Sequence, residues 1–252
     1  MNALSIIALH GIPIVRTGDD LPAMLLDSLA ASALELTTGD VIVLAQKIVS
    51  KAEGQMVALA DVTPSSNARA LAAESGKDPR LVELILSEAE SVVRVRPNLI
   101  IVRHRLGFVL ANAGIDHSNV ALDQDQVLLL PLDPDGSARR IREALSMSTG
   151  QRIAVLVIDS IGRAWRNGTI GTAIGISGMA GLLDLRGRLD LNGRPLQSSE
   201  LGYADEVAAA ASLVMGQSDE GVPAVLIRGL APVAMNGSAA DLIRPPALDL
   251  FG

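Results

Sequence analysis

The chain has 252 residues, 49% hydrophobic and 19% charged, which is enough apolar material for a large core and excludes a disordered chain. It contains no cysteine, so disulfides, thiolate metal sites, iron–sulfur clusters and a cysteine nucleophile are excluded. A formal net charge of −7 argues against nucleic-acid binding through bulk electrostatics, and no apolar run approaches the ~20 residues that span a bilayer.

In chain order, Leu4 to Leu9 reads as a short apolar strand, followed by a turn at Gly11-Ile12-Pro13. The start, MNALSIIALHGIPIV, lacks the basic residues and cleavage site of a signal peptide, so a cytoplasmic location is expected. Asp19-Asp20 and Pro22 then open an amphipathic helix over LPAMLLDSLAASALEL. Gly39-Asp40 precedes VIVLAQKIV, whose β-branched run predicts a buried strand carrying Lys47 and Lys51 at its end.

Helices are expected over NARALAAESG and RLVELILSEAE, the second opened by Asp78-Pro79. SVVRVR, LIIVRHR and GFVLANAG read as strands, the last two forming a hairpin. Arg94, Arg96, Arg103 and Arg105 recur at even spacing there, which alternation would gather on one sheet face, either solvated or anion-binding. VLLLPL is a further strand, SARRIREALSM a helix with Ser137 as its cap, and RIAVLVIDS the clearest strand in the chain. Gly162 to Gly193 is rich in glycine and arginine, with no helical period. ADEVAAAASLVMG returns to helix, and PAVLIRG closes as a strand. The elements interleave without a steady βαβ rhythm, and no linker divides residues 1–252, so one domain with intertwined lobes is expected. Aromatics are only 2%, so the core must be Leu, Ile, Val and Ala.

No GxxxxGK[ST] loop, GxGxxG fingerprint, HExxH or GxSxG elbow is present. Three scattered histidines leave oxygen donors for any metal, which points to a hard cation, Mg or Mn. Asp159 and Ser160 end an apolar strand before a glycine-rich stretch, a placement that suits either a phosphate-bound cation or an ordinary turn cap. Asp116, in NAGIDHSN, is either a ligand approached through small residues or an Asx turn, and Asn119 shares that ambiguity. Lys47 and Lys51 offer point charges for phosphate. IGRAWRNGTIGTAIGISG sets Arg163 and Arg166 around the lone Trp165 with glycines following, a concentration that favours a ligand-holding loop.

Six phrases, GIPIVRTGDDL, GDVIVLAQKIVSKAEG, NAGIDHSNV, DSIGRAWRNGTIGTAIG, YADEVAAAASLVMGQSDEGVPAVLIRG and SAADLIRP, together resemble the coenzyme F420-0:L-glutamate ligase family. They occur in that family's order and run from about residue 6 to 245. The resemblance implies an α+β (mixed α/β) two-lobed fold with mixed sheets and an intertwined homodimer. It also implies a GTP-dependent acid–amino-acid ligase with two divalent cations, Mg or Mn, joining F420-0 to L-glutamate through an acyl phosphate. Further γ-linked glutamates can follow.

Carried over by position, nucleotide contacts fall on Ile12, Pro13, Ile14, Val15, Gln46, Lys51 and Asn119. Metal ligands fall on Asp116, Asp159, Ser160 and Gln217, and the catalytic set is Asp116, Asp159 and Lys51. Arg163, Trp165 and Arg166 are assigned to the acidic substrate. Many relatives carry DTFGRPW where this chain has DSIGRAW, so the hydroxyl is kept while the deazaflavin pocket is altered. Some members bear a C-terminal flavin domain; the stand-alone form, without flavin, is expected here. The alternatives are a nucleotide ligase or phosphotransferase of the same scaffold acting on another small acid, and a non-catalytic GTP sensor.

Overall fold

The computed structural model describes residues 3–117, 125–230 and 236–249. The elements in chain order are β1 (Ser5–Ala8), α1 (Leu21–Ala31), β2 (Val41–Ala45), α2 (Gln46–Ala52), β3 (Met56–Ala58), α3 (Ser66–Ser75) and α4 (Pro79–Ser87). There follow β4 (Ala89–Arg96), β5 (Leu99–His104), β6 (Val109–Ala111), β7 (Gln126–Leu128), α5 (Pro134–Thr149), β8 (Ala154–Arg163) and β9 (Arg166–Ser177). The last four are β10 (Leu183–Asp184), β11 (Glu200–Leu201), α6 (Tyr203–Met215) and β12 (Ala224–Arg228). The fold is α+β with mixed sheets, as the sequence predicts. Among the described residues no helix is long and apolar enough to cross a membrane.

The main sheet has five strands in the order β1-β12-β2-β8-β9. β2 and β8 are parallel, and the other pairings are antiparallel. Alternation sorts its side chains onto two faces. Ile42, Leu44, Val155, Val157 and Leu226 pack with α1 and α5. Val41, Val43, Leu156, Ile158, Val225 and Ile227 pack with α6 on the other side. The largest fully buried side chains are all Leu or Ile, the core that the scarcity of aromatics requires. A third core gathers Ala68 and Ala72 of α3, Leu81, Val82 and Ile85 of α4, and Ile100 and Val102 of β5.

Several segments depart from the sequence reading. VIVLAQKIV is not one strand: β2 stops at Ala45 and α2 begins at Gln46. A short apolar run fits either element, and here Ile48 and Val49 satisfy the core from a helix. α1 ends at Ala31, and Ala33 turns the chain with φ 51°. The cap of α5 is Asp133, which accepts from Gly136 N–H at 2.9 Å ahead of Pro134. Ser137 lies inside that helix, hydrogen-bonded to Glu53. Of VLLLPL only Val127 and Leu128 join a strand, β7.

In the three-stranded sheet β4-β5-β6, Arg94 lies opposite Ile101, Arg96 opposite Leu99, and Arg103 is on the same face as both of those partners. Arg105 leaves that face and binds Glu88 at 3.0 Å. The first part of the glycine-rich stretch after Gly162 forms β9, antiparallel to β8. Two of its glycines are packing devices: a Cβ at Gly171 would lie 2.5 Å from Ala208 O in α6, and one at Gly175 would lie 2.4 Å from Pro134 O in α5. These two glycines, counted in the concentration that favoured a ligand-holding loop, let helices lie close on both faces of a strand.

Candidate active site

Strand direction brings four segments to one end of the main sheet. β1, β2 and β8 all run toward it, and β12 starts there. Residues 12–15, which follow β1, the start of α2, the stretch of β8 just past its last pair with β2 and the connection from α6 to β12 therefore meet beyond the end of the parallel pairing, where open α/β sheets form ligand crevices. They enclose a cavity of about 340 Å³. Ile12, Pro13, Ile14, Val15, Gln46, Lys51, Asp159, Ser160 and Gln217 all line it.

β8 outruns β2. Ala45 is opposite Ile158, the last parallel pair, so Asp159 and Ser160 have β9 on one side and the cavity on the other. Asp159 Oδ1 accepts from Ser160 N–H at 2.8 Å.

Asp116 arrives from a different part of the chain. After β6, Asn112 and Ala113 take left-handed φ values of 50° and 55°, and Asn112 Oδ1 accepts from Ile100 N–H at 3.1 Å. The chain then meets Leu128 in two backbone hydrogen bonds of 2.9 Å, made by Asp116 N–H and C=O. Leu128 is opposite Met56, shortly after α2, so this ladder sets Asp116 against α2. There Gln46 Nε2 donates to Asp116 Oδ2 at 2.8 Å, and Lys47 Nζ lies 3.5 Å from Asp116 Oδ1.

The electrostatics follow from this crowding. Burial, and then the Asp116 carboxylate, push the Asp159 carboxyl up to about 6. Burial also raises Asp116, against the opposing pull of Lys47 and Gln46. Lys51 is lowered by burial and by Lys47 and raised by Asp116. Asp159 lines the cavity with the Ser160 hydroxyl and the Gln217 amide, and the Asp116 carboxylate that repels it is held alongside by Gln46 and Lys47, a set that suits a hard cation. Among the described residues no three His, Cys, Asp or Glu side chains converge. The donor set fits a Mg or Mn ion that completes its shell with neutral oxygens, water and phosphate.

Not every predicted residue is gathered here. Arg163 and Arg166 flank the β8–β9 turn, and Trp165, at its tip, is 88% exposed with φ 62°. None of the three lines the cavity, and Arg163 is four residues, roughly 13 Å, along the strand from Asp159. Asn119 lies outside the described residues. Three further cavity residues, Ser212, Ser218 and Glu220, come from the end of α6 and the segment after it. Glu220 accepts from Ser218 N–H at 2.8 Å and folds over Gly216, where a Cβ would lie 2.1 Å from its carboxyl carbon. The glycine after a helix was the one visible sign of this turn in the sequence.

The sequence model of the family described as F420-0:gamma-glutamyl ligase matches residues 11–229. A protein of Methanothermobacter thermautotrophicus named coenzyme F420:L-glutamate ligase is 46% identical over 250 residues, covering 98% of each chain. Proteins of the same name from Methanopyrus kandleri and Archaeoglobus fulgidus are 45% and 40% identical, covering 100% of both chains and 98% and 96% of the respective chains. The chain therefore belongs to the F420-0:gamma-glutamyl ligase family, a family of ligases.

Proposed function

We propose that this chain joins L-glutamate to the free carboxylate of coenzyme F420-0 in a GTP-dependent reaction. The observation that carries the reading is that Asp159 and Lys51 line one cavity beside which Gln46 and Lys47 hold Asp116, close enough for its charge to raise Asp159. Family membership and the printed names of the relatives supply the substrate class.

A carboxylate does not react with an amine until one of its oxygens becomes a leaving group. In this reading the F420-0 carboxylate attacks the γ-phosphorus of GTP, GDP departs, and an acyl phosphate forms. The glutamate amine then attacks the acyl carbon, inorganic phosphate leaves, and the nitrogen loses its proton as the amide forms. The product still carries a γ-carboxylate, so the same two steps can add a further γ-linked residue.

Phosphoryl transfer needs positioning and charge neutralisation more than covalent chemistry. Asp116 and Asp159, with Ser160 and Gln217, would hold two divalent cations, which supply Lewis acidity and neutralise charge on phosphate oxygens. Lys51 adds a positive charge from α2. Ile12 to Val15 and Gln46 form the wall against which the nucleotide rests, with Asn119 as a further contact. Arg163, Trp165 and Arg166, at the hairpin tip, are assigned to the acidic deazaflavin. The same reading takes the chain as a single two-lobed domain, a homodimer and a cytoplasmic enzyme.

The test is mass spectrometry of F420-0 incubated with the protein, L-glutamate, GTP and Mn or Mg. A gain of one or more glutamyl units that requires GTP and is lost with chelator is expected. GTP binding with no mass change would overturn the reading in favour of another acid substrate, or of a GTP sensor if no acid is accepted.

A further inference from the structure

β9 is an edge strand of the main sheet, and three of its backbone N–H groups are met by side chains. Gly171 N–H donates to Ser212 Oγ at 3.3 Å, Ala173 N–H to Asp205 Oδ1 at 2.9 Å, and Ile176 N–H to Asp135 Oδ1 at 2.7 Å. Capping of this kind closes an edge to stray pairing. Two of the three bonds also fall beside the site.

Beyond Ile158, β8 has left β2 behind and its pairing runs on with β9. Ile158 is opposite Ala173, Asp159 opposite Thr172, and Ser160 opposite Gly171. Next to these pairs the ladder slips: Val157 is opposite Gly175, which leaves Ile174 over as a β-bulge. A bulge bends its strand and re-aims the side chains around it, so the ladder by itself does not fix the line of β9 beside Asp159. Asp205 takes the N–H that adjoins the bulge on the site's side. Ser212 lies seven residues further along α6, two turns on and on the same face, and takes the N–H of Gly171. α6 then ends at Met215, and Gln217 follows on the cavity wall. The two bonds thus join the strand pair that carries Asp159 and Ser160 to the helix that leads into Gln217. Asp205 is half-buried and does not itself line the cavity.

We propose that Asp205 is a positioning residue of the ligase site: by holding Ala173 N–H at the bulge, it fixes where Asp159 and Ser160 stand relative to Gln217. The proposal rests on the reading of those three residues as cation ligands. Asp135 supplies an internal comparison. It makes the same kind of bond to the same strand, but at Ile176, across the bulge and opposite Leu156, and it also accepts from Ala239 N–H at 3.1 Å. Burial raises both carboxyls, and the bond from β9 opposes it in each. The two caps differ chiefly in their distance from the site.

The test titrates the full-length protein with Mn2+ alone, following free Mn2+ by electron paramagnetic resonance at a temperature where thermal unfolding shows each variant folded. Asp205→Ala is expected to bind Mn2+ about tenfold or more weakly than wild type, the scale on which partners behind a metal ligand act. Asp205→Asn, which keeps an acceptor oxygen on the same stem, should bind as wild type does. Asp135→Ala should unfold at lower urea yet keep wild-type Mn2+ affinity. A cap that only stabilises the edge would shift urea unfolding in both alanine variants and Mn2+ affinity in neither. Wild-type Mn2+ affinity in Asp205→Ala, or an equal loss in Asp135→Ala, would therefore overturn the proposal. Should Asp205→Ala fail to fold, Asp205→Glu decides: it keeps the carboxylate one methylene too long, so weaker Mn2+ binding is expected and wild-type affinity would overturn the positioning role. Unchanged Mn2+ binding in Asp159→Asn would overturn the cation role of Asp159, and this inference with it.

Discussion

Gln46 and Asp116, 70 residues apart in the chain, are joined by a 2.8 Å hydrogen bond at the edge of the cavity. The amide is oriented from behind, since its oxygen accepts from Ser50 Oγ. This pair links α2, on the main sheet, to the turn that follows the three-stranded sheet, and it sets the angle at which one of the two site carboxylates enters.

Gln46→Leu removes the donor and leaves Ser50 and Asp116 short of a partner. Partners that orient a metal ligand typically contribute 10- to 100-fold in metal affinity or activity, so a loss of about that size is expected. The companion loss of stability should be about 1–3 kcal/mol. Ligation rates at several metal concentrations, together with urea unfolding, separate the two effects.

Asp159→Asn should abolish ligation while leaving the fold intact. The carboxyl is raised by burial and by the Asp116 charge, so a neutral isostere relieves repulsion. The metal-free variant should melt at the same temperature as wild type or higher. Thermal unfolding and the mass-spectrometric assay check the two halves, and normal turnover would sink the metal role.

Gly171→Ala and Gly175→Ala should each destabilise the protein by roughly 1–3 kcal/mol, the usual scale of overpacking. Their added methyl groups would meet backbone of α6 and α5 at 2.5 and 2.4 Å. Because that backbone belongs to rigid helices, it cannot step aside as a flexible side chain would. Denaturant titration at fixed pH is the measurement. Wild-type stability in both variants would refute the close approach.

Glu88 gives the acid limit of the smaller core. Its carboxyl is held below the ordinary 4.5, chiefly by the buried His104 ring, whose Nε2 lies 3.3 Å from Oε2, and also by the Arg105 charge, against the cost of burial. A lowered carboxyl stabilises the fold above its unfolded pKa, and that contribution fades as pH falls through the folded value. Glu88→Gln should therefore cost about 1–3 kcal/mol near pH 7, with the gap to wild type closing below about pH 4.5. Unfolding curves at pH 7, 5 and 3.5 test the direction, and a gap that widens in acid would contradict it.

Trp165→Ala examines the hairpin tip. The ring is 88% exposed, so its loss should change stability by less than about 0.5 kcal/mol. If the tip holds the deazaflavin acid, KM for that acid rises while KM for GTP stays fixed. Unchanged kinetics would remove Trp165 from the substrate assignment.

The capping and periodicity signals are strictly local, and the structure follows them where they were clear. Asp20 and Asp78 open their helices as their residue types predict. Asp159 ends the strand RIAVLVIDS in the sequence reading, but β8 runs on to Arg163 and pairs Asp159 with Thr172, because β9 extends the ladder past the point where β2 stops. Local chemistry was ambiguous at QKIV, where four residues fit strand or helix equally and only packing against the core decided. It misled at Gly171 and Gly175, because a glycine that admits an anion and one that admits a helix look alike in sequence.

By itself the sequence determined most of the element types, the Leu, Ile, Val and Ala core, the ordered phrases shared with a ligase family, and the kind of chemistry its carboxylates and lysines can perform. Only the tertiary structure decided that Asp116 meets Gln46 and Lys47, that Ser212, Ser218 and Glu220 complete the cavity wall, and that the arginine–tryptophan tip stands apart from it. The physical reason is that capping and periodicity act over a few neighbouring residues. The site, in contrast, is assembled by strand direction and by the Asp116–Leu128–Met56 ladder, whose pairings form between distant segments when the chain closes on its core.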